Sequence, residues 1–472
     1  MKKVLIFDLS ASLGRALICS YENKSFCSTE IHRFSNAPVN SGNALCWDPD
    51  VILKEVDKAI DKAEDYGFDA VSVDAWGADF ALLDQNGKYL KKPISRLDKH
   101  NETVSKKLYE IIPEKELYLR TGIKQTQNNT ICQLLDLKKQ HPKLLSSARH
   151  MLMIPDLIAY ELTGETINEH TIAATTGLVD PETKQWDLEL IEKLGLPKKI
   201  FGKITMPGER IGRLKAKYTN KEIPVFACPS HDIVSAVAAV PSTEKKFAYI
   251  SCGKWALLGT ELKNPLINDF SFEGGFTNEG SFNGTAFLKK IPGTWFLQEC
   301  IRYFNANGEV FTFNDIEAFA RSAPPFIAKI NPNDPLFTDT NGDMPKKVLT
   351  YCERTGQTRP KSLAQTLRII YESLAAEFAS TLEELEKITD YIYPAVYIFG
   401  GGSKDSFLCQ LIANATERTV IAGPTDAAAI GNAMSVLIAL GEIKDIAEAR
   451  AIVKRGSHLK EFLPNLTEGD RK

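Results

Sequence analysis

Hydrophobic positions along the chain fall into short β-rich runs broken by small polar turns, and into longer stretches with helical spacing. Residues 4–9 (VLIFDL) are one β-rich run. Small polar residues and a glycine interrupt it at 10–15 (SASLGR), residues 16–22 resume it, and 29–34 (TEIHRF) form a third strand candidate. Residues 49–65 place Ile52, Val56 and Ile60 on one face, the spacing of an amphipathic helix. Residues 70–77 (AVSVDAWG) then read as a buried strand ending in glycine. Strand, tight turn, strand, strand, helix, strand is an α/β opening.

The second half repeats the theme. Strands are expected at 247–251 and 256–262 around a CGKW turn, and a long helix at 363–389. A strand at 395–402 ends in three glycines, followed by a helix at 404–416, a strand at 419–423 and an Ala-rich helix at 426–441. The two opening turns start 243 residues apart, at Asp8 and Ser251. The repeat lies in element order and not in letters. A seam is expected near 235–246, where a proline, small residues and a charge run read as a linker, dividing the chain into 1–240 and 241–472. The tail from about 455 is polar and is expected to fray.

Composition narrows the class. At 472 residues the chain is too long for one ordinary domain, and two lobes is the working number. Hydrophobic residues at 43% and charged residues at 25% are ordinary globular usage, which excludes a disordered, collagen-like or coiled-coil chain. Net charge is -3, from 57 basic and 60 acidic residues, so nothing draws the chain to nucleic acid or anionic lipid. No apolar run approaches the ~18–20 residues that span a bilayer. Asp8 interrupts the apolar run after MKKVLIF, which argues against a signal peptide. Nine scattered cysteines form no CxxC pair and read as reduced thiols of a cytoplasmic protein. There is no zinc-ligand spacing and no HExxH.

Five segments carry candidate chemistry. DLSASLGR (8–15) delivers Asp8 to a small turn that can offer backbone N–H groups to phosphate, with Asp8 able to hold a hydrated Mg²⁺; a plain hairpin is the competing reading. SCGKW (251–255) occupies the equivalent place of the second half without the aspartate. PSHDIVSAV (229–237) sets Asp232 at a helix start, where a carboxylate can accept a proton from a substrate hydroxyl; an N-cap role for Ser230 or Asp232 is the alternative. Ser, His and Asp as chain neighbours rarely reach a hydrolase triad's geometry. FGGGSKDSFLCQLIAN (399–414) lets a flat ligand lie on backbone before a helix N-terminus, or is a tight βα turn. VDAWGADF (73–80) flanks Trp76 and Gly77 with Asp74 and Asp79, the makings of a polyol site; core packing of Trp76 is the alternative.

Taken together these segments resemble the FGGY family of carbohydrate kinases, over about residues 4–440. Thirteen motifs occur in order: those above, HRF (32–34), WD (47–48), LYLRTGI (117–123), NNTICQL (128–134), IPDLIAYELTG (154–164), TNEG (277–280), LKKIPGTWFLQE (288–299) and AGPTDAAAIGNA (422–433), with GGGS at 400–403. The resemblance implies two ribonuclease-H-like α/β lobes of the actin-like/sugar kinase superfamily flanking a catalytic cleft, with sugar on the N-terminal lobe and ATP on the C-terminal one. It implies Asp232 as general base, Asp8 as the Mg²⁺ residue, Ala11, Ser12, Leu13, Gly14 and Arg15 along the γ-phosphate, and Ser251, Gly253, Lys254, Gln298 and Gly401 around the nucleotide. Trp76, Gly77, His231, Ile233 and Lys290 would meet the sugar. The implied reaction is phosphorylation of O1 of a 6-deoxyketohexose, L-rhamnulose first and L-fuculose as the near alternative. An actin-like ATPase would not need the PSHD and DAWG motifs, and an inactive sugar sensor would be expected to lose Asp8 or Asp232. The partners expected are a ketose and ATP; the oligomeric state is not readable.

Three departures from the family pattern bear on the substrate. Lys254 stands where relatives usually carry threonine, which replaces one hydroxyl by a full charge facing the phosphates. Lys290 stands where an asparagine is usual, and SRLDKH (95–100) follows the family loop only loosely. Cys252, inside the phosphate loop, is a candidate for oxidative blocking of ATP.

Overall fold

Ser10 closes the first turn. Its N–H donates to the Leu13 carbonyl (2.8 Å), and its Oγ accepts from the Leu13 N–H (3.1 Å). The strand Lys3–Leu9 therefore folds back antiparallel on Leu13–Glu22, which pairs antiparallel with Ser25–Ser35. On its other edge Lys3–Leu9 runs parallel to Ala70–Asp74, which runs parallel to Pro224–Phe226, which in turn is antiparallel to Arg210–Arg213. The parallel strands at the centre are apolar on both faces because both faces are covered. The computed structural model describes residues 2–22, 25–98, 104–337 and 342–465.

Contacts divide the chain into two compact units that interleave in sequence. The first comprises Met1–Thr243, Glu261–Phe287 and Asp426–Ser457; the second comprises Glu244–Thr260, Leu288–Thr425 and His458–Lys472. In the first, the helix Pro49–Glu64 starts on a proline, whose missing N–H costs nothing at that position. It buries Ile52, Val56, Ala59, Ile60 and Ala63 against Leu5, Phe7, Val71 and Val73 of the sheet. A second core cluster of this unit joins the strand residues Phe80 and Leu82 to Leu108, Leu117, Ile131, Leu134 and Leu190 on short helices.

The second unit repeats the strand directions of the first. Trp255–Leu262 is antiparallel to Ala248–Cys252, which is parallel to Ala395–Phe399, which is parallel to Thr419–Ala422, which is antiparallel to Lys460–Phe462. Antiparallel, parallel, parallel, antiparallel is the order in both sheets, so the repeat expected from element order is present in the pairing. The 27-residue helix Leu363–Thr389 matches the expected span. Ser362 starts it by accepting the Gln365 N–H (3.3 Å), and Asp390 ends it in the left-handed region.

Some expectations shift. The strand before the glycines stops at Phe399, and Gly401–Lys404 turns into a short 3₁₀ helix. The tail does not fray from 455: Lys460–Phe462 adds an edge strand, because Thr419–Ala422 offers unpaired backbone groups there. The last seven residues of that tail lie outside the described residues, as do Lys99 and His100 of the SRLDKH segment. All nine cysteines are free thiols. Among the described residues no helix is long and apolar enough to cross a membrane.

Candidate active site

In the first unit, strand register sets Asp8 opposite Arg15 on one side and Asp74 on the other. The Arg15 guanidinium holds Asp8 by a short ion pair, and its other nitrogen reaches Asp426 Oδ1 at 2.8 Å. Ala75 and the PSHD segment are tied by two backbone bonds: Ala75 N–H to the Ser230 carbonyl (2.8 Å) and Asp232 N–H to the Ala75 carbonyl (3.0 Å). Asp8, Asp74 and Asp232 therefore sit in one field. Burial drives the Asp74 carboxyl well above the usual range, and the charge of Asp8 adds to it; the Asn432 amide, at 2.6 Å, opposes. Asp74 Oδ1 has no partner among the described residues.

Asp232 opens the helix Asp232–Ala238, as its sequence position suggested. Its Oδ1 accepts from the Ile233 N–H (2.8 Å), so the half-buried Ile233 orients the carboxylate through its backbone. The side chain is 23% exposed, so it remains reachable from solvent. Burial raises its pKa, the neighbouring His231 opposes that, and Asp8 reinforces it. Ser230 is not a cap: its hydroxyl donates to Glu169 Oε2 at 2.6 Å, anchoring the loop.

The DLSASLGR turn has a packing reason as well as a chemical one. A methyl on Gly14 would run into the Phe34 ring, so the HRF strand favours glycine there. Ala11 packs on the core cluster, Ser12 is exposed and Leu13 is half-buried.

The DAWGADF segment behaves differently from an open polyol platform. Trp76 is 2% exposed and leans on Trp47 at 4.3 Å between ring centres, so its faces belong to the core. Asp79 is fully buried and fully occupied. Its Oδ2 accepts both indole N–H groups, from Trp47 (2.6 Å) and Trp76 (2.9 Å), while its Oδ1 accepts from Arg96 N–H (2.7 Å) and Gln133 (3.2 Å). The arginine of the loosely matching loop is thus fixed, and its guanidinium donates to the Gly77 carbonyl at 2.8 Å. Gly77 is buried; a methyl there would stand 3.2 Å from Thr175. Ala78 adopts φ +75, an uncommon conformation for alanine that Thr130 and Gln133 stabilise by bonding its carbonyl.

In the second unit three loops converge. The Gly253 carbonyl accepts from both the N–H and the hydroxyl of Thr294, at 2.9 and 3.0 Å, and the Lys254 carbonyl accepts from Trp295 N–H at 3.1 Å. Ser251 pairs in register with Phe399, which brings the triple glycine alongside. A methyl on Gly402 would stand 2.8 Å from Cys252 Cβ. Gln298 donates to the Thr294 hydroxyl at 3.2 Å, on the same side. Ser251, Gly253, Lys254, Gln298 and Gly401 are therefore neighbours in one lining. Lys254 is exposed on it. Lys290 lies over the half-exposed Trp255 ring at 4.5 Å, within this unit.

The structure corrects the reading of Cys252. The thiol is completely buried, and burial pushes its pKa up to about 12, so it is not a reactive thiolate. Sequence reasoning gave no role to Arg96, Glu279 or Asn432. Each lies inside a quoted segment, but only the fold shows what it touches.

Asp8 suits a magnesium ion carried by a nucleotide. Mg²⁺ keeps several waters and is held by one or two carboxylates together with phosphates. Adjacent Asp8 and Asp74, one with a partnerless oxygen, fit that donor set. No cluster of three or more His, Cys, Asp or Glu among the described residues forms a metal cage of its own.

A reachable carboxylate at a helix start, buried carboxylates beside it and a glycine-lined turn at a sheet end are the parts of a phosphoryl-transfer enzyme. Family comparison agrees. The model of the FGGY carbohydrate kinase N-terminal domain matches residues 3–238, and that of the C-terminal domain matches 248–440. A rhamnulokinase from Halalkalibacterium halodurans is 36% identical over 469 residues, 98% of this chain and 99% of that protein. One from Bacteroides thetaiotaomicron is 35% identical over 464 residues, 97% and 95% of the two chains. A xylulose kinase structure from Lactobacillus acidophilus shares the fold with TM-score 0.79 at 18% identity, covering 98% of this chain and 94% of that one. The chain belongs to the FGGY family of carbohydrate kinases. It is a sugar phosphotransferase; such kinases use ATP, generally with a divalent metal.

Proposed function

We propose that the protein transfers the γ-phosphoryl group of ATP to O1 of L-rhamnulose. The observation that carries this is Asp232, whose Oδ2 has no hydrogen-bond donor among the described residues while Oδ1 is fixed by Ile233. Full-length similarity to proteins named rhamnulokinase supports the choice of sugar. Asp232 would take the O1 proton as that oxygen attacks phosphorus; Gly77, His231 and Ile233 would surround the sugar, with Trp76 supporting from the core. Asp8 would meet Mg²⁺ through water, with Ala11 to Arg15 along the γ-phosphate. Magnesium, when bound, would neutralise charge on the phosphates. Residues 1–240 would handle sugar and base, and 241–472 the nucleotide through Ser251, Gly253, Lys254, Gln298 and Gly401. The place of work would be the cytoplasm, where the free thiols stay reduced.

Lys290 favours keeping L-fuculose as a second reading, because it departs from the residue expected at a sugar contact and lies over the Trp255 ring. The test is ADP release with Mg·ATP against L-rhamnulose, L-fuculose, L-xylulose, D-xylulose and glycerol. The expected result is the highest kcat/KM for L-rhamnulose and loss of turnover by roughly 10²–10⁴ in Asp232→Asn. Higher kcat/KM for any other sugar would move the substrate assignment, and full activity in Asp232→Asn would remove the base.

A further inference from the structure

Glu279 has no part in the reaction just described, yet it is built into the site. Its Oε2 lies 3.1 Å from His231 Nδ1, and His231 Nε2 lies 3.7 Å from Asp232 Oδ1. The three side chains are 16%, 8% and 23% exposed, so carboxylate, imidazole and carboxylate form a largely buried row that is most open at Asp232. The backbone holds both ends of this row independently of the ion pair. His231 N–H donates to Thr171 Oγ1 at 3.2 Å. Beside Glu279, Asn278 N–H donates to the Gly122 carbonyl (2.8 Å), and a methyl on Gly280 would stand 3.0 Å from the Thr171 backbone. The strand Thr277–Gly280 cannot shift without breaking these contacts.

We propose that Glu279 is a positioning residue that keeps the His231 ring protonated and aimed at Asp232, so that a fixed cation stands beside the base. This rests on Asp232 being the base. An ordinary buried histidine sheds its proton; here the balance is reversed. Burial lowers the His231 pKa and Arg96 adds to that, while the Glu279 carboxylate and then Asp232 raise it, and the balance lies above the ordinary value. Glu279, Asp232 and Arg96 are the charged groups acting on the ring, and Asp8, Arg96 and His231 those acting on Asp232. The imidazolium then counters the burial and the Asp8 charge that push Asp232 toward its neutral form. Neutral Gln at 279 removes the cation without removing the base.

The experiment follows His231 by ¹⁵N-edited NMR titration of the full-length protein, assigned by the resonance lost in His231→Asn. The expected midpoint in the native protein lies above the ordinary value of about 6.5. In Glu279→Gln it falls by about one unit, a tenfold loss of proton affinity. Glu279→Asp, which keeps the charge on a shorter stem, falls between the two. In parallel, kcat in Glu279→Gln drops about tenfold at pH 7.5 and its alkaline limb moves down by the same unit, while the ATP KM stays within about twofold. An unchanged His231 midpoint in Glu279→Gln overturns the proposal, as does an alkaline limb that does not move. Should Glu279→Gln fail to fold, a native-like midpoint in Glu279→Asp with a lowered kcat also overturns it, and an intermediate midpoint supports it. The titration needs no turnover, so a native protein that phosphorylates no ketose would sink the functional reading while the midpoint still decides the role of Glu279.

Discussion

Gly431 offers a test of how closely Asp232, the proposed base, is tied to packing behind it. It lies inside the helix Ala427–Ala439, against the helix that starts with Asp232. An added methyl would stand 2.8 Å from the Ser235 carbonyl carbon, closer still to its oxygen, and 3.3 Å from Ala238 Cβ. Both are backbone or short side-chain atoms and cannot swing away. Two effects compete in Gly431→Ala. Helix propensity favours alanine by about 0.5–1 kcal/mol. Overpacking costs about 1–3 kcal/mol, and the upper part of that range applies because the helices must part by about an ångström or more. The net expectation is a loss of about 1–2 kcal/mol. The larger effect falls on rate if Asp232 is the base, because Ser235 is one turn from it; a 1 Å misplacement of a catalytic group costs about 10²-fold. Thermal melts and steady-state kcat on L-rhamnulose measure the two together. A variant with native or higher melting temperature and kcat within about twofold would refute the claim that this helix pair sets the position of Asp232.

Three further outcomes are expected. Asp79→Asn replaces one acceptor oxygen by a donor in a site where four donors converge, leaving at least one buried N–H unpaired; urea unfolding should show a loss of about 2–4 kcal/mol. His170 is 3% exposed, and burial pushes its pKa down to about 4. The unfolded chain binds that proton near pH 6.5 and the folded chain does not, so stability falls as pH drops from 6.5 toward 4, by about 3 kcal/mol; urea midpoints at pH 7 and 4.5 should differ less in His170→Gln than in the native protein. Lys254→Thr should raise the ATP KM several-fold at low salt and less at high salt, as loss of an exposed charge facing phosphate would; an unchanged KM would show that the lysine points elsewhere.

Local signals carried the fold a long way. Turn chemistry at Ser10, the proline start of the helix at Pro49 and the glycine run at 400–402 each act on neighbours in the chain, so each was readable from a few letters. What stayed hidden depends on partners far away. The missing side chain of Gly14 is explained by Phe34, the burial of Trp76 by Trp47 and Asp79, and the occupation of Asp74 by an amide 358 residues distant. An aromatic beside two aspartates looks the same on paper whether its face meets a sugar or another indole. The edge strand at Lys460–Phe462 was missed for a related reason: a short polar segment forms a strand only when an unpaired edge is waiting for it.

The interleaving of the first unit bears on how the chain is made. Asn432 donates to Asp74, Asp426 pairs with Arg15, and the Arg450 guanidinium is bonded to the Ala238 carbonyl (3.1 Å) and to Glu261 (2.8 Å). Early in synthesis the sheet of residues 3–74 can pair, but its carboxylates lack these late-arriving partners. At about 5–20 residues per second, Asp74 leaves the ribosome roughly 20–70 s ahead of its amide. During that interval the sheet of the first unit lacks the layer that the late segment supplies, a state in which a nascent chain is exposed to wrong pairing and open to a chaperone.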